Sequence, residues 1–348
     1  MKQWKRITLL TLVAAMLLLS LTACGENYDL RESTEREATP VLTLGEDTVN
    51  FELLYTFFLS QCERIEGFNG EYFTGEGGDA RFAAVMAAAR AEIAEIYAVF
   101  ALCREVGIDP YDQKIEAEIL EHLKSNVEGG TYGGYEIEGF KSYDAYITYL
   151  RETYHMNDAV NRLMLRYAIC EERLIDYYDT RFPFTKEDVT AFFESEDCVH
   201  VIWVGREAKA YGFNASENYE QMERARKKLL EGDHRGAIQH STNPTTDFYM
   251  GRYTKDKAFY DTLIETVYEL EIDETSEILD LGTEGYFLVK RLHKEAIDLD
   301  DRYEEILDVF LFEKMYSRIE SMAVALDRDA APTDTYRTLT AKDFLDNE

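Results

Sequence analysis

One stretch of the chain, residues 197–294, holds the side chains best able to do chemistry. His200 lies in an apolar run, Cys198 to Val204, which is typical of a strand buried on both faces. A polar segment further along contains Ser241 and Asn243. A histidine inside such a strand has two interpretations, a hydrogen-bonded core residue or a member of a catalytic network. The residues alone leave both open.

Several familiar kinds of site do not fit the sequence. His234 and His240 flank a loop without carboxylates at metal-ligand spacing. Ser241 lacks the glycine-flanked elbow that exposes a serine nucleophile. The glycine-rich segment 67–78 follows no predicted strand and lacks the Lys-Ser/Thr pair of a phosphate-binding loop. We therefore expect no metal site, no serine hydrolase and no cofactor.

The elements that position these side chains predict an α/β unit inside a helical protein. The strand at 198–204 precedes a helical run at 218–230, a second helix from Lys257 and a strand at 285–290. The segments on either side show helical periodicity. The predicted fold class is therefore α+β, a discontinuous all-helical domain with a small α/β domain inserted at 197–294.

The helical segments can be placed by their caps and apolar stripes. After a strand–turn–strand at 41–49, the predicted helices span 51–65, 79–106, 110–125, a run after Ser142, a run from Asn157, a short helix after Thr185, and 300–326. The last helix must bury its apolar stripe, and the upstream helices are the economical partner. The helical domain would then comprise 41–196 and 295–330. A glycine-rich loop is expected at 129–139, and a loosely ordered tail at 331–348.

The first residues have the three parts of a bacterial lipoprotein signal. Lys2, Lys5 and Arg6 form a positive region, residues 7–19 are apolar, and small residues precede Cys24. The pattern predicts a signal peptide over 1–23, lipid attachment at Cys24 and a polar tether over 24–40. The chain is thus expected to be extracytoplasmic and held at the bacterial cell membrane. An uncleaved signal anchor is the alternative.

The net charge of the chain restricts which kinds of molecule it can bind. The formal net charge is −31 for the whole chain, and removing the three positive charges of residues 1–23 takes it to −34. Such a field opposes binding to nucleic acid, whose backbone is negative. It also repels anionic lipid headgroups, although plain solubility explains the charge as well. Beyond Cys24, four cysteines form no CxxC pair, and the sequence leaves a disulfide among Cys62, Cys103, Cys170 and Cys198 open.

Several segments together resemble the SurA/PrsA-type foldases. They are the strand-turn Leu44-Gly45-Glu46-Asp47-Thr48-Val49, the helix end Val106-Gly107-Ile108-Asp109-Pro110, and Phe184-Thr185-Lys186-Glu187-Asp188-Val189-Thr190-Ala191-Phe192-Phe193. The last is similar to the short helix before the isomerase domain of that family. The resemblance spans about 41–325 and is carried by short motifs.

Within it, residues 197–294 resemble a parvulin peptidyl-prolyl isomerase domain. The matching segments are Val199-His200-Val201-Ile202, Ala225 to Gly232, Ser241, Met250-Gly251, Phe259, Val267 to Leu270 and Gly285 to Lys290. The resemblance implies catalytic roles for His200, Ser241 and Asn243, and peptide-binding roles for Met250, Phe259 and Phe287. Core packing is the alternative for these three apolar residues.

The departures fall on the catalytic positions. Phe287 stands where the family usually has a second histidine, and Asn243 where it has cysteine or aspartate. Isomerisation must favour a twisted amide against a barrier of about 18–20 kcal/mol. An incomplete network is compatible with proline binding at reduced turnover and equally with the loss of both.

The resemblance therefore implies a membrane-anchored foldase or chaperone that binds exported, unfolded polypeptides, with isomerase activity weak or lost. A non-catalytic peptide- or partner-binding lipoprotein is the first alternative. A solute-binding lipoprotein of a transporter is less favoured, because residues 50–195 show helices without the repeated βα units of two lobes. A homodimer through the helical domain is compatible with the sequence.

Overall fold

A computed structural model describes residues 28–69, 71–132, 135–207, 215–242, 246–253, 257–282 and 285–345. The described chain forms two compact units. Unit 1 is formed by the described residues of Met1–Arg173 and Ser321–Glu348, and unit 2 by those of Leu174–Glu320. Helices dominate and the sheets are small and antiparallel, which confirms the α+β class. Unit 1 is discontinuous, and its boundaries at 173 and 321 differ from the 196 and 295 expected from the sequence.

The elements are numbered in chain order. The strands are β1 (Pro40–Leu44), β2 (Asp47–Asn50), β3 (Gly129–Tyr132), β4 (Tyr135–Glu138), β5 (Val199–Glu207), β6 (Asp247–Met250), β7 (Leu279–Asp280), β8 (Gly285–Leu292) and β9 (Ala331–Pro332). The helices are α1 (Phe51–Glu63), α2 (Gly78–Glu105), α3 (Gln113–Glu128), α4 (Tyr143–Tyr154), α5 (Asp158–Arg181), α6 (Lys186–Glu194), α7 (Ala215–Leu230), α8 (His234–Ile238), α9 (Lys257–Glu269), α10 (Asp298–Asp301), α11 (Tyr303–Arg328), α12 (Asp334–Thr338) and α13 (Lys342–Leu345).

Capping residues fixed several helix starts as predicted. The Ser142 hydroxyl accepts a hydrogen bond from Ala145 N at the start of α4. Asn157 Oδ1 accepts one from Val160 N, 3.0 Å away, at the start of α5. Thr185 and Asp188 form a complete capping box before α6.

Two local predictions were wrong. Pro110 does not open a helix; the chain turns first, and α3 begins after Asp112, whose side chain accepts from Lys114 N. The glycine-rich segment 129–139 is not a loop, because β3 and β4 pair there as an antiparallel hairpin. Its glycines obscured the strand pattern in the sequence.

Residues 331–345 of the C-terminal tail are ordered, so the prediction of a loose tail was wrong for this part. β9 pairs with β1, and the three strands of unit 1 lie in the order β2-β1-β9. Phe344 in α13 is 1% exposed, and its ring stacks on Phe58 of α1 with 4.1 Å between centroids. An aromatic side chain buried this deeply holds the tail against the helices.

The described part of the predicted tether is also bound rather than free. From Tyr28 onward the segment makes hydrogen bonds and ring contacts with α1, α4 and α5 of unit 1. Pro40 already belongs to β1. The signal peptide and Cys24 lie outside the described residues.

The sheet of unit 2 is antiparallel, in the order β6-β5-β8-β7. Both faces of β5 are covered, as its two-sided apolar pattern predicted. α7 and α8 pack on the face that holds Ile202 and Val204. α9 packs on the face that holds Val201 and Trp203. The strand therefore lies at the centre of unit 2.

The stripe of α11 packs within unit 2. Ile306, Phe310 and Leu311 form one buried cluster with Phe192 of α6 and Tyr249 of β6. None of the helices in the described ranges is long and apolar enough to cross a membrane. Each of the four cysteines after Cys24 is buried and present as a free thiol.

Candidate functional site

His200 of β5 lies in a polar cluster with two residues of β6 and with Arg302, the residue before α11. Its Nε2 is 2.9 Å from Asp247 Oδ1 and 3.1 Å from Arg302 Nη1. Arg302 Nη1 also donates to Asp247 Oδ1 over 2.9 Å. The imidazole stacks on the ring of Tyr249, with 4.5 Å between centroids. We call His200, Asp247, Tyr249 and Arg302 the His200 cluster.

Electrostatics hold this cluster together. Burial opposes ionisation of Asp247, but hydrogen bonds from His200 and Arg302 prevail and lower its pKa. Burial and the hydrogen bond to Asp298 raise the pKa of Tyr249, which keeps the phenol protonated. The guanidinium of Arg302 lies 4.8 Å from the centre of the Tyr249 ring. Asp247 and Arg302 balance each other's charge, whereas His200 Nδ1 is buried and has no hydrogen-bond partner within the described ranges.

The predicted peptide-binding residues Met250 and Phe287 lie on the other face of the sheet. Directly paired residues of antiparallel strands share a face. Gly205 pairs with Phe287, and Val199 pairs with Met250, whereas His200 pairs with Tyr249. Since neighbouring residues of a strand alternate between faces, His200 points away from Met250 and Phe287. Phe287 is fully buried in the core beneath α9.

Ser241 is also separate from His200. Its Oγ accepts a hydrogen bond from Gly205 N and donates one to Gly205 O, both over 3.2 Å. Gly205 is five residues along β5 from His200, a rise of about 16 Å. The structure therefore does not bring His200, Ser241 and Phe287 into one site. Asn243 lies outside the described residues, and Phe259 lies in α9 without a described side chain.

An apolar cavity of about 340 Å³ lies along the outer side of β6. Apolar and aromatic side chains from three elements line it, and five of them are half-buried: Ile175, Phe248, Tyr253, Val309 and Phe312. Met250, one of the predicted peptide-binding residues, also lines it, as do the carboxylates of Asp179 and Asp308. We call this space the β6 cavity. Its lining can take up apolar side chains of a peptide.

Glu305 of α11 and Arg302, the residue before α11, satisfy two outward backbone groups of β6. Glu305 Oε1 accepts a hydrogen bond from Tyr249 N over 2.7 Å, and Arg302 Nη2 donates to Asp247 O over 3.0 Å. Beyond the strand, Glu313 Oε1 accepts from Arg252 N over 3.0 Å. Edge strands carry unpaired N–H and C=O groups that invite another strand. Here side chains of the protein itself occupy two of these groups, Tyr249 N and Asp247 O.

A second cavity in unit 2, of about 310 Å³, includes His200 in its lining. Its charged groups are engaged with the protein. Arg291 Nη2 is 2.7 Å from Glu196, and Lys294 Nζ donates to three backbone carbonyls. The β6 cavity is therefore the better candidate for an apolar ligand.

Sequence reasoning missed Asp247 and Arg302, which complete the His200 cluster. They lie 47 and 102 residues from His200, so no local pattern joins them. Strand alternation offered one usable signal, because it already puts His200 and Trp203 on opposite faces. Within the described ranges, no group of three His, Cys, Asp or Glu side chains is arranged to hold a metal ion.

Comparisons with known proteins add little to this geometry. No protein-family model and no curated protein matches the chain. Its structure is similar to that of PrsA from Bacillus subtilis, with 13% identity and a TM-score of 0.26, over 72% of this chain and 87% of that one. It is also similar to foldase protein PrsA from Streptococcus pneumoniae, with 14% identity and a TM-score of 0.29, over 83% and 92%. At these scores the likeness assigns neither fold nor activity to this chain.

Proposed function

We propose that this chain is a lipid-anchored extracytoplasmic foldase or chaperone that binds exported, unfolded polypeptides in the β6 cavity. The observation that carries the proposal is the set of half-buried apolar side chains around that cavity. Half-buried aromatic and aliphatic groups can take up apolar side chains of many sequences. The lipoprotein signal before Cys24 and the resemblance of the sequence to SurA/PrsA-type foldases support the location and the class.

Charge favours clients with basic residues beside an apolar segment. Asp179 and Asp308 line the cavity, and the chain after Cys24 has a formal net charge of −34 once the three positive residues before it are removed from −31. A negative field of this kind raises the rate at which cationic segments reach the cavity and weakens with added salt.

The first experiment measures binding of a fluorescein-labelled peptide with a central apolar segment flanked by lysines. The chain from Cys24 onward is titrated into it and followed by anisotropy. Phe312→Ala should weaken binding by about 1–2 kcal/mol, or about 5–30-fold in Kd, because it removes one aromatic wall of the cavity. Tyr219→Ala is the matched control, since Tyr219 is an aromatic residue of unit 2, 44% exposed, outside the cavity lining. Equal affinities for both variants would exclude the cavity as the binding site.

We further propose that isomerase activity is weak or lost. His200 lies on the opposite face from Met250 and Phe287, and Ser241 sits about 16 Å along the strand. Exchange between cis and trans forms of a short Xaa-Pro peptide, measured by NMR, should not be accelerated by the protein, although peptide resonances should shift on binding. Acceleration that disappears in His200→Ala would refute this part and make His200 catalytic. The parvulin-like identity of residues 197–294 stays part of the same proposal, supported by the element order β5-α7-α8-β6-α9-β7-β8.

A further inference from the structure

Two cysteines from different helices meet in the interior of unit 1. Cys103 lies in the last turn of α2 and Cys170 near the middle of α5, and both are 0% exposed. The Cys103 thiol donates to the Cys170 carbonyl oxygen over 3.5 Å. The two thiols are also hydrogen-bonded to each other. Side chains that are 67 residues apart in the sequence are therefore in direct contact.

The end of α2 that carries Cys103 is held by contacts of its own. Ile108 N donates to Cys103 O over 2.8 Å and closes the last turn of the helix. The guanidinium of Arg104 donates to both carboxylate oxygens of Asp47, each over 2.8 Å. A bidentate pair of this kind fixes orientation as well as distance. The contact between the two cysteines thus rests on a backbone that is fixed on both sides of Cys103.

Cys170 is the thiol that ionises more readily. Arg166 and Arg173 lie about one turn before and after it on α5, and they pair with glutamates of α3. The hydrogen bond from Cys103, together with these arginines, lowers the pKa of Cys170 against the effect of burial. The same hydrogen bond and burial raise the pKa of Cys103. Because only a thiolate attacks a disulfide, Cys170 is the cysteine that reacts first.

Contact between two thiols meets the main demand of a disulfide. Cysteines that lie far apart cannot be bridged unless the backbone moves. Here the sulfur atoms have only to close from hydrogen-bond distance to about 2.05 Å. Disulfides persist in oxidising compartments, and the lipoprotein signal before Cys24 predicts that the chain is exported to one.

We propose that Cys103 and Cys170 form a disulfide that joins α2 to α5 when the chain folds outside the cytoplasm. This inference rests on the extracytoplasmic location in the proposed function. The bond closes a loop of 67 residues that contains α3, the β3–β4 hairpin and α4. Closing a loop of this length restricts the unfolded chain, so the disulfide stabilises unit 1. Cys62 and Cys198 stay as buried thiols.

Glutathione disulfide serves as the oxidant in the test. The Cys170 thiolate attacks one of its sulfur atoms, breaks its S–S bond and releases one glutathione thiolate. Cys103 then attacks the Cys170 sulfur and releases the second, and the protons of the two cysteines go to the two glutathione molecules. The cysteines are oxidised, and glutathione disulfide is reduced to two thiols. Since both cysteines are 0% exposed after folding, the first attack precedes the packing of α2 against α5.

The experiment refolds the chain from residue 24 with Cys24→Ser, which leaves the four later thiols. The reduced protein is diluted from urea into a mixture of reduced and oxidised glutathione, quenched with acid, and labelled with N-ethylmaleimide in urea. We expect it to be lighter by two hydrogen atoms before labelling. Mass spectrometry of its peptides should show Cys103 joined to Cys170, and the label on Cys62 and Cys198.

Two variants test the assignment. Cys170→Ala should lose the intramolecular bond, whereas the double variant Cys62→Ala/Cys198→Ala should keep it. The midpoint of urea unfolding, followed by far-UV circular dichroism, should be about 1–2 M higher for the oxidised protein than for the reduced one. In Cys170→Ala the oxidant should not move the midpoint. The peptide mapping uses the native cysteines, so it does not depend on the folding of any variant.

Three outcomes would overturn the inference. They are a refolded protein that keeps all four thiols, a bond that uses Cys62 or Cys198, and a lower urea midpoint for the oxidised protein. The glutathione mixture supplies the oxidant, so these results depend neither on the location of the chain in the cell nor on peptide binding. Failure of the lipid anchoring or of the β6 cavity would refute the proposed function and leave the disulfide mapping unchanged.

Discussion

Glu313→Gln tests how unit 2 holds the turn after β6. Glu313 in α11 is 8% exposed, and its two oxygens accept hydrogen bonds from Arg252 N and Tyr253 N, over 3.0 and 3.2 Å. Gly251 allows this approach, since a Cβ there would lie 2.5 Å from Glu313 Oε2. Burial raises the pKa of Glu313 from 4.5 to about 7, although the two N–H donors act to lower it.

The sign of the pH effect follows from linkage. A carboxyl whose pKa is raised by folding binds its proton more tightly in the folded state. Its contribution to stability is complete below pH 4.5 and is lost as the pH rises to about 7. At about 1.4 kcal/mol for each tenfold change in proton affinity, the loss is about 3 kcal/mol. Glutamine resembles the protonated carboxyl, so Glu313→Gln removes this loss.

The assay is urea unfolding of the chain from Cys24, followed by the fluorescence of Trp203, which lies in unit 2. Comparing wild type with Glu313→Gln cancels the other titrating groups. The two should be similar in stability below pH 4.5, and the variant should be more stable by about 3 kcal/mol above pH 7. If the two N–H···carboxylate bonds outweighed burial instead, the variant would be the less stable one at high pH. That result, or a difference independent of pH, would refute the reasoning.

Two further substitutions test charged groups, buried Asp158 and half-buried Lys294. Asp158→Ala should destabilise unit 1 by about 3 kcal/mol, measured by urea unfolding with circular dichroism, because it leaves buried donors unpaired. The donors are Arg31 N, Tyr143 Oη and Arg162 Nε. Asp144→Ala, at an exposed partner of Arg31, should cost less than about 1 kcal/mol, and equal losses would contradict this account. Lys294→Met should destabilise unit 2 by about 3 kcal/mol by Trp203 fluorescence, against a small effect of the exposed Lys186→Met, because it deprives three carbonyls of a donor. A comparably small effect of both lysine changes would show that solvent replaces the Lys294 ammonium.

Local chemistry predicted much of the helical architecture. Apolar periodicity and caps such as Ser142 and Thr185 are encoded within a few residues, so the sequence indicates where α4 and α6 begin. The strands β5 and β8 were also predicted, because a short continuous run of apolar residues is typical of a strand buried on both faces. These elements depend mainly on their own residues.

Elements that depend on distant partners were not predictable. The segment from Tyr28 looked like a tether because it is polar, yet Arg31 binds Asp158, 127 residues away. β9 is two residues long and exists only because β1 offers its edge. β6 is four residues long and is held by side chains of α11. Such contacts leave no periodic trace in the sequence.

The predicted site residues do not lie together in the structure, and the reason is again a contact between distant segments. Matching His200, Ser241 and Phe287 to one family pattern assumes that they meet in space. Strand register decides this, and a change of one residue moves a side chain to the other face. In the pairing of β5 with β8, Phe287 shares a face with Gly205 and Trp203, and His200 joins Asp247 and Arg302 instead.

Side chains of the protein cover part of the outer edge of β6. Under the proposed function, this limits how an unfolded client would bind there. Strand addition needs free N–H and C=O groups along an edge. Here Glu305 of α11 accepts from Tyr249 N, and Arg302, just before α11, donates to Asp247 O, so an incoming strand would have to displace two charged side chains. Displacing them would break two charge-assisted hydrogen bonds, which are stronger than the neutral backbone bonds that an incoming strand supplies in exchange. Under the proposed function, the β6 cavity would therefore receive side chains of a client rather than its backbone. Binding of this kind depends on the presence of an apolar residue and little on its sequence context, which is what a protein that handles many unfolded chains requires.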